Sequence, residues 1–184
     1  GVRIELKKIL DIELEYYDNV TSDMLSKIYV SRVLSSDRIS SNIGRMRNTG
    51  IELSLSSTNF ARRNFTWTTN FNMAHNTNKI LELYNGVPTS FGSYAWMEGY
   101  DSQTWNLVRW AGVDPSNGSP MWYDKNGNVT RTFSTANRVP GKTRTPLLSG
   151  GLVNNMSWKN WTLSFQINYL IGGYALPTYA GLYF

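Results

Sequence analysis

The sequence contains no cysteine, so it holds neither a disulfide framework nor a thiolate metal site. It has a single histidine, His75, with no spaced carboxylate pair beside it. That leaves no ligand set for a metal and no base to activate a serine nucleophile. No run of about 18 apolar residues occurs, which excludes a transmembrane helix. A transmembrane barrel stays open, because its strands alternate and read as soluble by composition. There is no block of like charge: the net +5 is dispersed, and Lys7/Lys8, Arg45/Arg47 and Arg62/Arg63 stand at the boundaries of patterned runs, as solvated turn residues do. Without a basic stripe or an RNP1-like string, no nucleic-acid partner is expected. Gly1 is followed by no charged and apolar leader, so no signal peptide is expected.

What the sequence does have is alternation. In the stretch from Asn42 to Leu83, Ile51, Leu53 and Leu55 alternate with Glu52, Ser54 and Ser56. Phe65, Trp67, Phe71 and Met73 alternate with Thr66, Thr68, Asn70 and Asn72. A period of two puts each set on its own face of a strand. The two runs predict a β-hairpin, with strands over Thr49–Ser57 and Phe65–Met73 and a joint over Thr58–Asn64. A sheet with one greasy and one wet face suits either a soluble sandwich or a membrane barrel.

The same pattern recurs on both sides. Leu10, Ile12, Leu14 and Tyr16 alternate with Asp11, Glu13 and Glu15, predicting a strand over Ile9–Tyr17. Three carboxylates on one face suit a water-filled lumen or bulk solvent and are too regular for a catalytic pair. A weaker strand is expected over Leu148–Ser157. The cleanest covers Trp161–Tyr169, in which Trp161, Leu163, Phe165, Ile167 and Tyr169 alternate with Thr162, Ser164, Gln166 and Asn168. Beyond Gly172 and Gly173 an apolar, unpatterned tail is expected.

The connections run long (Asp18–Asn48), short, long (His75–Leu147), short. Outer-membrane barrels have that parity, with short periplasmic turns and long outside loops. Phe65, Trp67, Trp158 and Trp161 then fall at the short-turn end, and Tyr16, Tyr17 and Tyr169 at the long-loop end, as two girdles would. The His75–Leu147 segment is dense in turn formers (NGVP, GVDPSNG, DKNGN, VPGK), so only short strands fit within it: Thr104–Trp110, and Met121–Tyr123 paired with Val129–Phe133 across the Asp124–Gly127 turn. Asp124, Asn126 and Asn128 have a calcium-loop look. Gly127 comes too early and Thr135 stands where a closing Glu belongs, so a hairpin turn is expected.

The same segment collects Tyr94, Trp96, Tyr100, Trp105, Trp110, Trp122 and Tyr123 around Glu98, Asp101, Arg109 and Asp114. Aromatic faces beside hydrogen-bonding groups suit sugar rings or peptide side chains. The plainer reading of the same residues is the small core such a loop needs to stay ordered, and both roles can fall to different members. The substrate-binding candidates are Trp96, Tyr100, Trp105, Arg109, Trp110, Trp122 and Tyr123. No catalytic residue, metal site or cofactor is expected, and the chain does not read as an enzyme.

Five segments in order, EYYDNVTSDML from Glu15, NIGRMRNTGIEL from Asn42, FTWTTNFNMAHNTNKILEL from Phe65, EGYDSQTWNLVRWAGVDPSNGSPMWYDKNGNVT from Glu98 and PLLSGGLVNNMSWKNWTLSFQINYLIGGY from Pro146, resemble the C-terminal barrel portion of the SusC/RagA family of TonB-dependent outer-membrane transporters. Asp101, Ser102 and Gln103 depart from the family's Pro/Gly-rich turn. The plug domain and TonB box of such transporters have no counterpart here, so the likeness covers barrel alone. It implies an all-β fold of antiparallel strands forming part of a large transmembrane β-barrel over residues 1–184, with residues 75–147 a structured extracellular loop. It also implies import of a glycan or peptide with TonB-coupled energy, a SusD-like surface lipoprotein as lid, and a wall facing outer-membrane lipid in a Gram-negative cell. The other reading of the alternation is a soluble β-sandwich that binds carbohydrate or a protein.

Overall fold

The computed structural model describes residues 1–7, 9–29, 38–42 and 44–176. In chain order the strands are β1 (Val2–Leu6), β2 (Leu10–Thr21), β3 (Leu25–Tyr29), β4 (Arg38–Asn42), β5 (Gly44–Arg62) and β6 (Phe65–Leu83). Then come the short strands β7 (Thr89–Phe91), β8 (Tyr94–Trp96), β9 (Thr104–Leu107), β10 (Trp110–Val113), β11 (Pro120–Tyr123), β12 (Val129–Thr130) and β13 (Val139–Thr143). Two long strands close the order, β14 (Leu148–Trp158) and β15 (Trp161–Ile171).

Two compact units emerge. The first comprises Gly1–Thr21, Met46–Asn78 and Thr145–Tyr174 and is built on the antiparallel sheet β1-β2-β5-β6-β14-β15. Its alternation is that read from the sequence. Leu163, Phe165 and Ile167 lie opposite Met156, Asn154 and Leu152, which lie opposite Trp67, Thr69 and Phe71. Val2 and Ile4 lie opposite Leu14 and Ile12, and those opposite Leu53 and Leu55. The other face carries Asp11, Glu13 and Glu15 on β2, and Thr162, Ser164, Gln166 and Asn168 on β15. Ser56 Oγ donates to Asn70 Oδ1 (2.9 Å) and Asn78 Nδ2 to Asn48 Oδ1 (2.6 Å), which puts the polar residues of β5 and β6 on one side.

Among the described residues, the first unit has no buried apolar core of its own. The buried apolar side chains among the described residues are Ile80, Leu83 and Ala95, all outside the first unit. Ile4, Leu14, Ile51, Leu163, Phe165 and Ile167 are exposed instead, and among the described residues of the unit no second sheet covers them. A sandwich would bury that face, whereas a barrel wall leaves it exposed towards lipid, and exposure is what this sheet shows.

Several boundaries differ from the sequence expectation. β1 was not anticipated, although Val2, Ile4 and Leu6 alternate with Arg3 and Glu5; it is short and its ion pair is with the next strand, Arg3 Nη2 donating to Asp11 Oδ2 at 2.6 Å. The Asp18–Asn48 connection contains the end of β2, the hairpin β3–β4 and the start of β5, while residues 30–37 of it lie outside the described residues. β5 runs through the expected Thr58–Asn64 joint to Arg62, leaving a two-residue turn. β6 continues to Leu83, so the segment expected over residues 75–147 begins at Tyr84. Ladder pairing with a neighbour carries polar residues such as Asn76, Thr77 and Asn78 within a strand, which periodicity alone undervalues. The expected tail falls on residues 172–184, of which 177–184 lie outside the described residues.

Two tyrosines use glycine as a seat. Tyr17 pairs with Gly50, and Tyr169 with Gly150. A Cβ on Gly50 would stand 2.5 Å from Tyr17 Cε1. The ring lies flat there, and Tyr17 Oη donates to Asn76 Oδ1 (2.7 Å). Tyr17 therefore belongs to the polar face, not to the aromatic girdle expected of it; Tyr16, on the apolar face, is 64% exposed. At the other end Trp158 pairs with both Trp161 and Phe65, and Trp161 is 74% exposed.

The apolar face is interrupted by one hydrogen-bonded polar chain. Ser57 Oγ donates to Asn59 Oδ1 (2.7 Å), and Asn59 Nδ2 to Thr69 Oγ1 (2.5 Å). Thr69 Oγ1 and Trp67 Nε1 both donate to Asn154 Oδ1, at 2.7 and 2.9 Å. Asn154 is only 5% exposed, so polar groups on this side are satisfied by one another rather than by water.

Gly50→Val is expected to displace Tyr17 and to destabilise the folded barrel of the full receptor by about 1–3 kcal/mol. The heat needed to convert its folded electrophoretic band would fall, and Tyr17→Ala added to it would restore part of the loss; full stability of Gly50→Val alone would refute the packing argument.

Candidate functional site

The aromatic candidates all lie in the second unit, which draws chiefly on Lys79–Arg144. The segment is anchored to the end of β6 through backbone bonds at Ile80, whose N–H donates to the Tyr100 carbonyl (2.9 Å) and whose carbonyl accepts from Gly99 N–H (2.9 Å). Ile80 is fully buried. Glu98 Oε1 accepts from Leu83 N–H (2.9 Å) just where the strand ends.

Two small sheets follow. In the first, of order β13-β9-β8-β7, Thr89 pairs with Trp96, Phe91 with Tyr94 and Tyr94 with Trp105, so four aromatic rings share one face. Phe91 stacks on Tyr94 at 5.3 Å and meets Trp96 at 5.1 Å. The Arg144 guanidinium stands 5.5 Å over Trp105. Trp96 and Trp105 are half-buried, and this cluster serves chiefly as the sheet's own apolar layer.

In the second sheet, β10-β11-β12, Trp110 pairs with Trp122, and Trp122 with Thr130. Trp110 and Phe133 meet Trp122 edge-on at 5.9 and 5.5 Å. Both outer rings are 56% exposed. Tyr123, one residue on, points to the opposite face by the strand period, and the exposed Arg109 guanidinium lies 5.2 Å over its ring. The seven candidates therefore do not converge on one site. Trp110 and Trp122 form one exposed cluster, Arg109 and Tyr123 a second; Trp96 and Trp105 lie in the other sheet, and Tyr100 stands exposed in a turn.

The acidic neighbours are committed to the loops themselves. Asp101 Oδ1 accepts from Gln103 N–H (2.6 Å). Asp124 Oδ1 accepts from the N–H of Asn126 and of Asn128, both at 2.8 Å, and Asp124 N–H donates to the Asn128 carbonyl (2.8 Å). That is the expected hairpin turn, and its donors hold the Asp124 carboxyl below its ordinary range. Asp114, 6% exposed, accepts from the hydroxyl and N–H of Ser116 (2.6 and 3.0 Å) and pairs with Arg131. Those bonds, the Ser116 pair first, pull its carboxyl down to about 2. Among the described residues no group of His, Asp and Glu is placed to hold a metal. His75 is engaged with the backbone, its Nδ1 lying 2.6 Å from the Leu147 carbonyl.

Sequence reasoning missed Phe91 and Phe133 as members of the clusters. Phe91 stands beside the tight Gly92–Ser93 turn that folds it onto Tyr94 and Trp96. Phe133, placed in a strand from the sequence, lies beyond β12, and no periodicity marks a loop residue. The expected Thr104–Trp110 strand is broken after Leu107, and β10 pairs with β11 through a register shift between Trp110 and Gly112.

A carboxyl with a lowered folded pKa stabilises above its unfolded value near 3.9 and loses that contribution as pH falls through its folded value. Asp114→Asn in the full receptor should therefore raise amide exchange across residues 110–133 at pH 7. The wild-type segment should loosen between about pH 4 and pH 2, and the variant should keep only the part of that step that the Asp124 turn contributes. Identical exchange in the two proteins at pH 7 would refute the anchoring role.

Residues 1–170 match the family described as TonB dependent receptor-like, beta-barrel. A TonB-dependent receptor of Formosa agariphila is 32% identical over 100 residues, 54% of this chain and 10% of that protein. The TonB-dependent receptor SusC of Bacteroides thetaiotaomicron is 24% identical over 179 residues, 88% of this chain and 17% of that one. The structure resembles the RagAB peptide transporter with a TM-score of 0.79 and 26% identity, over 90% of this chain and 19% of that chain. It resembles the open-open state of the RagAB peptide importer with a TM-score of 0.80 and 25% identity, over the same shares. The chain thus spans less than a fifth of the length of these relatives. Such receptors are proteins of the Gram-negative outer membrane and not enzymes. The chain belongs to the TonB dependent receptor-like, beta-barrel family and is a SusC/RagA-like stretch of its wall.

Proposed function

We propose that this chain supplies barrel wall and outside loops to an outer-membrane transporter that imports a glycan or peptide, with TonB providing the energy from the periplasm and a SusD-like surface lipoprotein as lid. The observation that carries the reading is the long sheet whose apolar side chains are exposed on one face while the other is polar, a pattern that suits lipid outside and water inside. Its short turns, at Lys7, at Arg63–Asn64 and at Lys159–Asn160, all stand at one end, as periplasmic turns do. The segment from Tyr84 to Leu147 is then extracellular. Likeness to SusC and to a peptide importer supports transport and leaves both substrate classes open.

Within the extracellular segment, Trp110 and Trp122 with Phe133, and Arg109 over Tyr123, are the surfaces offered to substrate or lid. Trp96 and Trp105 lie in the other small sheet, and Tyr100 is exposed in a turn. Exposed aromatic rings stack on sugar rings and apolar peptide side chains alike. Trp110→Ala should leave the amount of assembled receptor unchanged and reduce uptake by about 5–10-fold, an indole contact being worth about 1–1.5 kcal/mol. Unchanged uptake would remove this cluster from the substrate path.

The wall assignment is tested in the full receptor. Phe165→Arg places a charge on the lipid face at about 2–4 kcal/mol and should sharply reduce the heat-modifiable outer-membrane form. Gln166→Arg, on the polar face, should assemble normally. Equal assembly of the two variants would sink the assignment.

A further inference from the structure

The three short turns share a feature that the wall does not need. Each carries a cation, Lys7 on the first, Arg63 on the second with Arg62 next to it at the end of β5, and Lys159 on the third, and none carries a carboxylate. Two of the turns are tied together, Lys159 N–H donating to the Asn64 carbonyl at 3.0 Å. Between them opens a cleft of about 350 Å³, lined by Arg62, Arg63 and Lys159 together with Asn64, Asn160 and Ser157. No carboxylate pairs with these three cations among the described residues.

The cleft sits where the two faces meet. Phe65 in its lining belongs to the apolar face, Thr66 and Ser157 to the polar one. The cations lean on rings at that rim: the Arg62 guanidinium is 5.7 Å from the Phe60 ring and Lys159 Nζ 5.3 Å from that of Trp158. Trp158 and Trp161, both exposed, flank the Lys159–Asn160 turn. Tryptophan at the end of an apolar face marks the headgroup level of a bilayer, and long cationic side chains reach from apolar surface to that level. Unpaired cations with amide and hydroxyl donors, beside a lipid-facing apolar surface, suit a phosphate carrying acyl chains.

We infer that the cleft between the Arg63–Asn64 and Lys159–Asn160 turns binds the phosphate headgroup of an anionic phospholipid of the inner leaflet. The site follows from the geometry; its leaflet rests on the orientation proposed above. A free anion would use the same donors but would gain nothing from the apolar rim, which is why the lipid is the occupant assigned.

The test uses the full receptor in neutral detergent, with bound lipid counted by native mass spectrometry. Phosphatidylglycerol should bind more tightly than phosphatidylethanolamine. The triple variant Arg62→Gln/Arg63→Gln/Lys159→Gln should lose at least about tenfold in affinity for it, and Lys125→Gln, in an outer turn, should lose none. If the triple variant does not give a heat-modifiable folded band, Lys159→Gln alone should still lose about fivefold. Undiminished binding by the folded variants, or equal binding of the two lipids, would overturn the site, and displacement by millimolar inorganic phosphate would reassign it to a free anion. Orientation is read separately, by an impermeant maleimide on whole cells: Lys125→Cys should label and Asn160→Cys should not. Labelling of Asn160→Cys would overturn the leaflet, and the orientation with it, whatever the lipid data show.

Discussion

A sheet whose greasy side faces lipid is held by its backbone ladder, because hydrocarbon offers nothing else for an N–H or a carbonyl to bond. The strands of the six-stranded sheet meet that demand through antiparallel pairing, β14 for example being matched residue by residue to β15 from Leu148 to Trp158. Everything else is arranged around this ladder. Apolar side chains go outward without a protein core behind them, and polar side chains go inward without the need to pack. Where the chain leaves the ladder, at Thr21 and Leu83, other order has to be made, and small sheets, buried Ile80 and the Asp114 and Asp124 turns supply it.

The two units therefore follow different physics from one sequence. In the wall, stability comes from ladder bonds and from the surroundings, so a single surface residue such as Ile167 counts through the face it occupies. In the Lys79–Arg144 unit, local devices dominate: a carboxylate collecting nearby N–H groups, an arginine laid on an indole, rings meeting edge to edge. Such devices hold loops in shape while leaving rings exposed, and Trp110 and Phe133 are exposed because Trp122 between them is held from both sides.

Alternation was legible wherever the apolar face was filled by large residues, as in Trp161–Tyr169, and the family could be read from five ordered segments. Lengths were less legible. Asn76–Asn78 and Thr58–Arg62 look like connections because polar residues dominate them, yet each continues a ladder set by its neighbour. The candidate site was legible as a list of aromatics but not as a grouping, since strand register and the bulge at Gly112 decide which rings meet. Tyr17 shows the same limit: parity puts it beside Glu15 on the polar face, and only the missing side chain of Gly50 across the ladder explains where its ring lies.

The polar chain through Ser57, Asn59, Thr69 and Asn154 has a consequence for how the sheet finds its pairing. Apolar alternation forbids a slip of one residue, which would turn the greasy side inward, but it is blind to a slip of two. After a two-residue slip between β6 and β14 every side chain would still face the correct medium. Asn154 would then meet Trp67 or Phe71 instead of Thr69 and would hold an amide in hydrocarbon with its acceptor misplaced. The few polar residues on the greasy side thus act as an index mark, distinguishing the true register from the neighbouring ones that hydrophobicity scores alike.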